Sequence, residues 1–280
     1  MSVLVFLACL ISFSIGLPGG TSSGYPKAAE LIFGGDNAAP GMFPMQVYIP
    51  FKHPYGEYTR CGGSLISTTH VLTAAHCAVQ MAADVKIMVG SVNIQNTTGA
   101  QWRNVTKISV HPDYDDTDRD TFDDIAILEF DPPVVLNDYV KLSQIVSQDS
   151  DLINDSKAVV LGFGTYKYND PDDPVSSPDL LYTEVTIFPF EFCKRVWTNV
   201  VEEKQLCAGA KGKGTGSGDS GGPIQVSRAG TLIQVGLTSY GSGRQRTLQY
   251  DQDKKPSVYT RVSYYCDFIK NVTKGVAQCL

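Results

Sequence analysis

Short apolar runs punctuate the chain, and almost none has the length or spacing of a helix. "MQVYIPF" (45–51), "VKIMVG" (85–90), "KAVVLGFG" (157–164), "TLIQVGLTSYG" (231–241) and "SVYTRV" (257–262) are rich in β-branched and aromatic residues. Gly, Pro, Asp or Asn bounds each run, so each predicts a β-strand. Helical spacing shows best in "SYYCDFIKNVTKG" (263–275). There Ser263 is the candidate cap, Tyr264, Phe268 and Ile269 form the candidate apolar stripe, and Gly275 is the candidate terminator. Short strands with few helices between them predict β-barrels or a sandwich, closed here by one C-terminal helix. The proline- and acid-rich stretch "YNDPDDPVSSPD" (168–179) predicts an exposed loop.

The first residues have a different texture. Val3 to Ile15 is apolar without a charged side chain and gives way to "LPGGTSSG". Too short to span a bilayer comfortably, this run predicts a signal peptide over residues 1–16, with Ser14 and Gly16 suiting a cut after Gly16. Residues 17–31, "LPGGTSSGYPKAAEL", read as a linker or propeptide. No later stretch approaches spanning length, so the expected product is secreted, extracellular and free of the membrane. Removing Cys9 leaves Cys61, Cys77, Cys193, Cys207, Cys266 and Cys279. An even number in a secreted chain implies disulfides, although counting alone leaves many connectivities open. Sequons at Asn96, Asn104, Asn154 and Asn271 fit the same route. The net charge of −6 argues against nucleic acid as a partner.

Candidate chemistry centres on "GTGSGDSGGP" (214–223). The segment satisfies the G-x-S-x-G pattern of an α/β-hydrolase elbow, which requires the histidine to follow the serine. The four histidines, His53, His70, His76 and His111, all precede Ser220. That order excludes the elbow. A subtilisin order needs the acid before the histidine, and Asp36 is the only aspartate before His70 or His76. The order that remains is His, Asp, Ser.

In this order the chain resembles the chymotrypsin-like (trypsin-fold) serine proteases from Ile32 to about Ile269. The matching segments are "IFGG" (32–35), "CGGSLIS" (61–67), "LTAAHC" (72–77), "DIAIL" (124–128), "GDSGGP" (218–223) and "VYTRV" (258–262). Any one is weak evidence; all six in order are specific. The resemblance implies an all-β fold of two packed antiparallel β-barrels with a C-terminal α-helix. The first barrel would span about 32–140, the second about 150–262, and the helix and tail 263–280. It also implies that His76 is the general base, Asp124 its orienting acid and Ser220 the nucleophile, with Gly218 and Ser220 N–H groups forming the oxyanion hole. Asp123, next to Asp124, would point the other way on an extended chain. Ser239 would donate a hydrogen bond to Asp124, and Gly241 would pair with substrate backbone. A cut before Ile32 would release an amine to pair with Asp219, making residues 17–31 an activation peptide. A Cys61–Cys77 bridge would brace the histidine loop, and a Cys266–Cys279 bridge would pin the tail.

Gly214 stands where a trypsin-like enzyme carries its specificity aspartate, and Gly241 and Ser257 are the other expected pocket walls. Small uncharged walls imply preference for large apolar or aromatic residues. The alternative is a Lys/Arg preference served by Asp251 or Asp253 of the insertion "RQRTLQYDQDKK" (244–255). Gly216 replaces the family's pocket cysteine, and Leu31 replaces the basic residue of a tryptic activation site. No cofactor or metal is implied. His70 and His76 lack the companions of a zinc site, and the acidic run 113–124 lacks the glycine and glutamate of a calcium loop. Expected partners are protein or peptide substrates and protein protease inhibitors, and the expected state is a monomer. The reading from another class is an inactive homologue that serves as an extracellular binding protein.

Overall fold

The structure, a computed structural model, describes residues 32–53, 56–82, 84–117, 121–170 and 173–280. The signal-peptide and propeptide assignments, Cys9, Leu31 and the Asp118–Asp120 part of the acidic run lie outside the described residues.

The chain first forms the short strand β1 (Asp36–Asn37) and then β2 (Gln46–Lys52), β3 (Tyr58–Ser67), β4 (His70–Thr73), β5 (Lys86–Val89), β6 (Gln101–Val110) and β7 (Ala126–Asp131). Strands β2 to β7 close into an antiparallel barrel in the order β2-β3-β4-β7-β6-β5. Alternate residues of each strand point inward, and Val47, Ile49, Phe51, Leu65, Ile87 and Leu128 fill this interior. His70 alternates with the inward-facing Val71 and so lies on the outer face of the barrel, buried there with Nδ1 2.8 Å from Ser67 Oγ and 3.0 Å from Thr69 Oγ1. Burial depresses its pKa.

The second half contributes β8 (Gln144–Ile145), β9 (Lys157–Gly162), β10 (Thr165–Tyr168), β11 (Pro174–Ser176), β12 (Leu181–Ile187), β13 (Gln205–Gly209), β14 (Pro223–Arg228), β15 (Thr231–Tyr240) and β16 (Ser257–Arg261). Six of these run β12-β13-β16-β15-β14-β9, and a β9–β12 pairing closes the ring. Its interior holds Val160, Leu181, Val185, Ile224, Val235 and Tyr259, joined by Ile32 from the start of the described chain. Strand β1 pairs with β12, so the segment after Ile32 is stitched to the second barrel although its sequence neighbours build the first.

The strands expected from hydrophobic patterning are all present. The C-terminal helix differs at its entry. A 3-10 turn (Val262–Tyr265) leads into a short α-helix (Cys266–Val272), and Ser263 makes no side-chain cap bond. Tyr264 is half exposed, and Tyr265 takes its place on the buried face beside Ile269, because the tighter turn rotates the stripe by one residue. Gly275 does end the helix, with φ +79° and its N–H donating to Lys270 O at 2.8 Å. The stretch 168–179 is only partly a loop, since β10 and β11 pair as a hairpin through it.

The barrels meet through an apolar seam. Ile66, Leu72, Ile125 and Ile127 pack with Leu237, Val262, Tyr265 and Ile269. The disulfides are Cys61–Cys77, Cys193–Cys207 and Cys266–Cys279. The first joins β3 to the helical turn α1 (Ala75–Ala78), which carries His76. Its cysteines are 16 residues apart, and closing a loop of this size restricts the unfolded chain by about 3 kcal/mol. The double substitution Cys61→Ala/Cys77→Ala should therefore lower the unfolding free energy in urea by about 3 kcal/mol, with a matching fall in Tm. An unchanged denaturation midpoint would show that the bridge contributes nothing.

Candidate active site

His76 and Asp124 both come from the first barrel's edge. Strand β4 ends at Thr73 and turns directly into α1, while Asp124 stands two residues before β7, which pairs with β4. Antiparallel pairing thus delivers the two side chains to one place. Asp124 is fully buried, and the His76 side chain is 24% exposed. One carboxylate oxygen, Oδ2, accepts from His76 Nδ1 at 2.8 Å and from Ser239 Oγ at 2.5 Å. The other accepts from the His76 backbone N–H at 2.9 Å. Thr260 Oγ1 donates to the Asp124 carbonyl at 2.9 Å.

Burial favours the neutral acid, but the imidazolium and the hydrogen bonds from His76 and Ser239 outweigh it and hold Asp124 below the usual carboxylate range. Burial likewise opposes a charged His76. The Asp124 charge and its hydrogen bond prevail, so the His76 pKa lies above its ordinary value. The second ring nitrogen, Nε2, faces Cys77 Sγ at 3.6 Å, and no hydrogen bond joins it to Ser220 in this substrate-free chain.

Ser220 lies on a loop before β14 that is tied to the first barrel, because Gly62 N–H donates to the Ser220 carbonyl at 2.8 Å. Within this loop the N–H groups of Asp219, Gly221 and Gly222 are all used, donating to Gly216 O, Thr238 O and Asp219 O. Those of Gly218 and Ser220 have no acceptor among the described residues. Gly218 has φ +93°, a left-handed conformation that turns its N–H without a side chain in the way.

Asp219 is fully buried between Gly164 and Gly216, whose N–H groups donate to its two carboxylate oxygens at 2.8 and 2.9 Å. No lysine, arginine or histidine forms an ion pair with it among the described residues. A Cβ on Gly162 would stand 2.1 Å from Asp219 Oδ1, so this carboxylate depends on that glycine for space. Burial pushes its pKa up to about 7, despite those two hydrogen bonds and the charge of Arg60. The segment that begins with Ile32 docks beside this loop. Phe33 O accepts from Gly214 N–H, and Ile32 is fully buried in the second barrel.

A cavity of about 200 Å³ opens beside Ser220. Gly216, Ser217, Tyr240, Gly241, Leu248 and Ser257 are among its walls. Gly214 is not a wall: a Cβ there would lie 2.0 Å from Gln252 Oε1, so the Gln252 side chain covers it. The Gln252 amide nitrogen donates to Thr215 O at 2.9 Å and Leu248 O at 2.8 Å, and its oxygen accepts from Ser257 Oγ at 3.0 Å. These bonds brace the wall next to Gly216. Leu248, on helix α2 (Gln245–Tyr250), stands against Gly241. Asp251 is instead paired with Lys254 at 2.7 Å, and neither Asp251 nor Asp253 lines the cavity. Gln252 and Leu248 were not anticipated from sequence, because a glutamine and a leucine in a polar insertion carry no motif.

A serine loop held between two closed antiparallel barrels is the architecture of trypsin-like serine proteases. Residues 32–269 match the family described as Trypsin, and the chain belongs to that family. It is 32% identical to chymotrypsin-like elastase family member 1 of Canis lupus familiaris over 91% of this chain and 97% of that relative. With chymotrypsin-C of Mus musculus it shares 35% identity over 88% of this chain and 90% of the relative. Among solved structures, neuropsin, a serine protease expressed in the limbic system of mouse brain, superposes with a TM-score of 0.72. That match has 27% identity and covers 85% of this chain and 98% of the other. The chain is accordingly a serine endopeptidase acting on protein substrates. No helix among the described residues is long and apolar enough to cross a membrane.

The buried, unpaired Asp219 has a consequence for stability. An unfolded Asp219 loses its proton near 3.8, whereas the folded one keeps it to about 7. The folded chain therefore binds more protons between those values, and stability falls as pH rises through that window. With Asp219 placed as it is here, this one group should remove on the order of 4 kcal/mol between pH 4 and pH 7. Asp219→Asn, in a Ser220→Ala background, should flatten that part of the curve. Equal pH slopes for the two proteins in urea unfolding would refute it.

Proposed function

We propose that this chain is a secreted serine endopeptidase made as a zymogen, which cleaves peptide bonds through an acyl-enzyme formed on Ser220. One observation carries the reading: Ser220 sits at the cavity mouth with two unused N–H groups in its own loop, in a fold that buries Asp124 against His76. With substrate in place, Ser220 Oγ attacks the scissile carbonyl while His76 takes its proton. The developing oxyanion accepts hydrogen bonds from Gly218 and Ser220 N–H. His76 then gives the proton to the leaving amine, and water hydrolyses the ester by the same path. Asp124 holds the imidazole in the tautomer that accepts at Nε2.

A cut between Leu31 and Ile32 releases an amine that pairs with Asp219. This reading is supported by the absence of a cationic partner for Asp219 among the described residues and by the docking of Phe33 onto Gly214. Leu31 calls for a chymotrypsin-like activator or self-processing. Three disulfides support an oxidising compartment, and Asn96, Asn104, Asn154 and Asn271 are all exposed, as glycan attachment requires. The enzyme acts as a monomer off the membrane, and protein inhibitors that imitate substrates are its expected regulators.

The cavity favours an uncharged apolar residue on the acyl side of the cut. Among the described residues no charged side chain lines it, so a buried Lys or Arg would find no counter-charge. Leu248 supplies an apolar wall, and a volume of about 200 Å³ suits large aliphatic residues and Phe better than Trp. Peptides differing only at this position should be cut at Leu or Phe at least about 100-fold faster in kcat/KM than at Arg, as expected of an unpaired buried charge. Faster cleavage at Arg would overturn the assignment. Gln252→Ala should raise the relative rate at Trp by loosening the Thr215, Leu248 and Ser257 walls that its side chain ties together.

For the chemistry, Ser220→Ala should lower kcat by about 10⁵- to 10⁶-fold and abolish fluorophosphonate labelling. Because the base must be neutral, kcat/KM should fall as pH drops through the elevated His76 pKa. Asp124→Asn should cost about 10⁴-fold in kcat and move that acid limb to lower pH. Wild-type activity in either variant would exclude the mechanism.

A further inference from the structure

Asp123 and Asp124 are adjacent in sequence, yet each has its own set of partners. Asp123 is only 4% exposed and has φ +55°, a left-handed backbone unusual for a residue with a side chain. It therefore does not simply point away from Asp124 as on an extended strand. Ile125 N–H donates to the Asp123 carbonyl at 2.7 Å, which closes a three-residue turn with Asp124 at its centre. The orientation of the Asp124 carboxylate is thus set by a turn whose first residue is Asp123.

The Asp123 side chain is fastened to the other half of the molecule. Both of its oxygens accept from Lys204 Nζ at 2.8 Å, and Oδ1 also accepts from Tyr265 OH at 3.1 Å. Lys204 directly precedes β13, and its carbonyl accepts from Arg261 N–H at the end of β16. Its ammonium lies 5.5 Å from the Tyr264 ring centre, and its side chain is 24% exposed. Tyr265 ends the 3-10 turn that follows β16 and stacks edge-on with His111, whose N–H donates to Ile125 O. Every partner of Asp123 except the turn itself therefore comes from the second barrel or the C-terminal turn, which packs on it. Desolvating such a pair is costly, and an apolar contact of equal volume would hold the seam as well. A charged pair adds direction, since a carboxylate gripped by a lysine and a phenol fixes where its own backbone lies.

We infer that the Asp123–Lys204–Tyr265 cluster is a positioning device that docks the Asp124 turn onto the barrel carrying Ser220, and so sets the His76 imidazole relative to the nucleophile. The inference rests on the proposed roles of His76, Asp124 and Ser220. These three residues are split between the barrels, so a small shift of the turn changes the distance over which the proton must pass.

The test uses the activated full-length enzyme. Lys204→Met should lower kcat on a peptide amide by roughly 10- to 100-fold, the cost of a misplacement of about 1 Å, with KM nearly unchanged. The low-field proton resonance of His76 Nδ1–H should move or broaden, and Lys204→Arg should restore both readouts towards wild type. Unaltered kcat and resonance in a folded Lys204→Met enzyme would reduce the cluster to a structural contact and overturn the inference. If that variant does not fold, Asp123→Asn keeps the shape without the charge and should show the same kcat loss; an unaltered kcat there overturns the inference equally. Failure of the underlying reading looks different, because His76→Ala and Asp124→Asn would then leave kcat intact.

Discussion

The Asp124 carboxylate is the point on which both barrels converge. A fully buried carboxylate is stable only if its oxygens are satisfied, and here the donors come from opposite sides. His76 supplies a ring and a backbone N–H from the first barrel, while Ser239 supplies a hydroxyl from β15 of the second. Thr260 anchors the same residue through its carbonyl. Separating the barrels would remove the Ser239 hydroxyl and the Thr260 anchor, so the group proposed to orient the base also favours this arrangement of the halves.

A second buried carboxylate shows the opposite condition. Asp219 has two backbone N–H donors and, among the described residues, no cation in ion-pair contact, and burial moves it to a pKa of about 7. The contrast between the two aspartates is one of partners rather than depth. Asp124 is already matched, whereas Asp219 sits in a cradle of glycines beside the docked Phe33 segment, on the loop that also carries Ser220. The proposed activation amine would therefore meet a receptor that this loop has already built.

The cavity wall is braced from behind by one side chain. Gln252, which follows α2, covers Gly214 and ties Thr215, Leu248 and Ser257 together through its amide.

Strand positions, barrel architecture and the His-Asp-Ser order were legible in the chain because they are written in local pattern: β-branched runs between turn residues, and short motifs around His76, Asp124 and Ser220. The glycines around Ser220 were legible for the same reason, since close backbone approach leaves few other choices. Other features depend on residues distant in sequence. That Asp123 is buried follows from Lys204 and Tyr265, each far away along the chain, and no property of the dipeptide Asp123–Asp124 separates their roles. Gln252 stands behind the cavity wall only because α2 folds back over Gly241. Tyr265, not Tyr264, faces the core because the chain enters its last helix through a 3-10 turn that tertiary packing selects. Local sequence determined which elements form and which residues can do chemistry; long-range packing decided which of those residues are desolvated, and by whom they are paired.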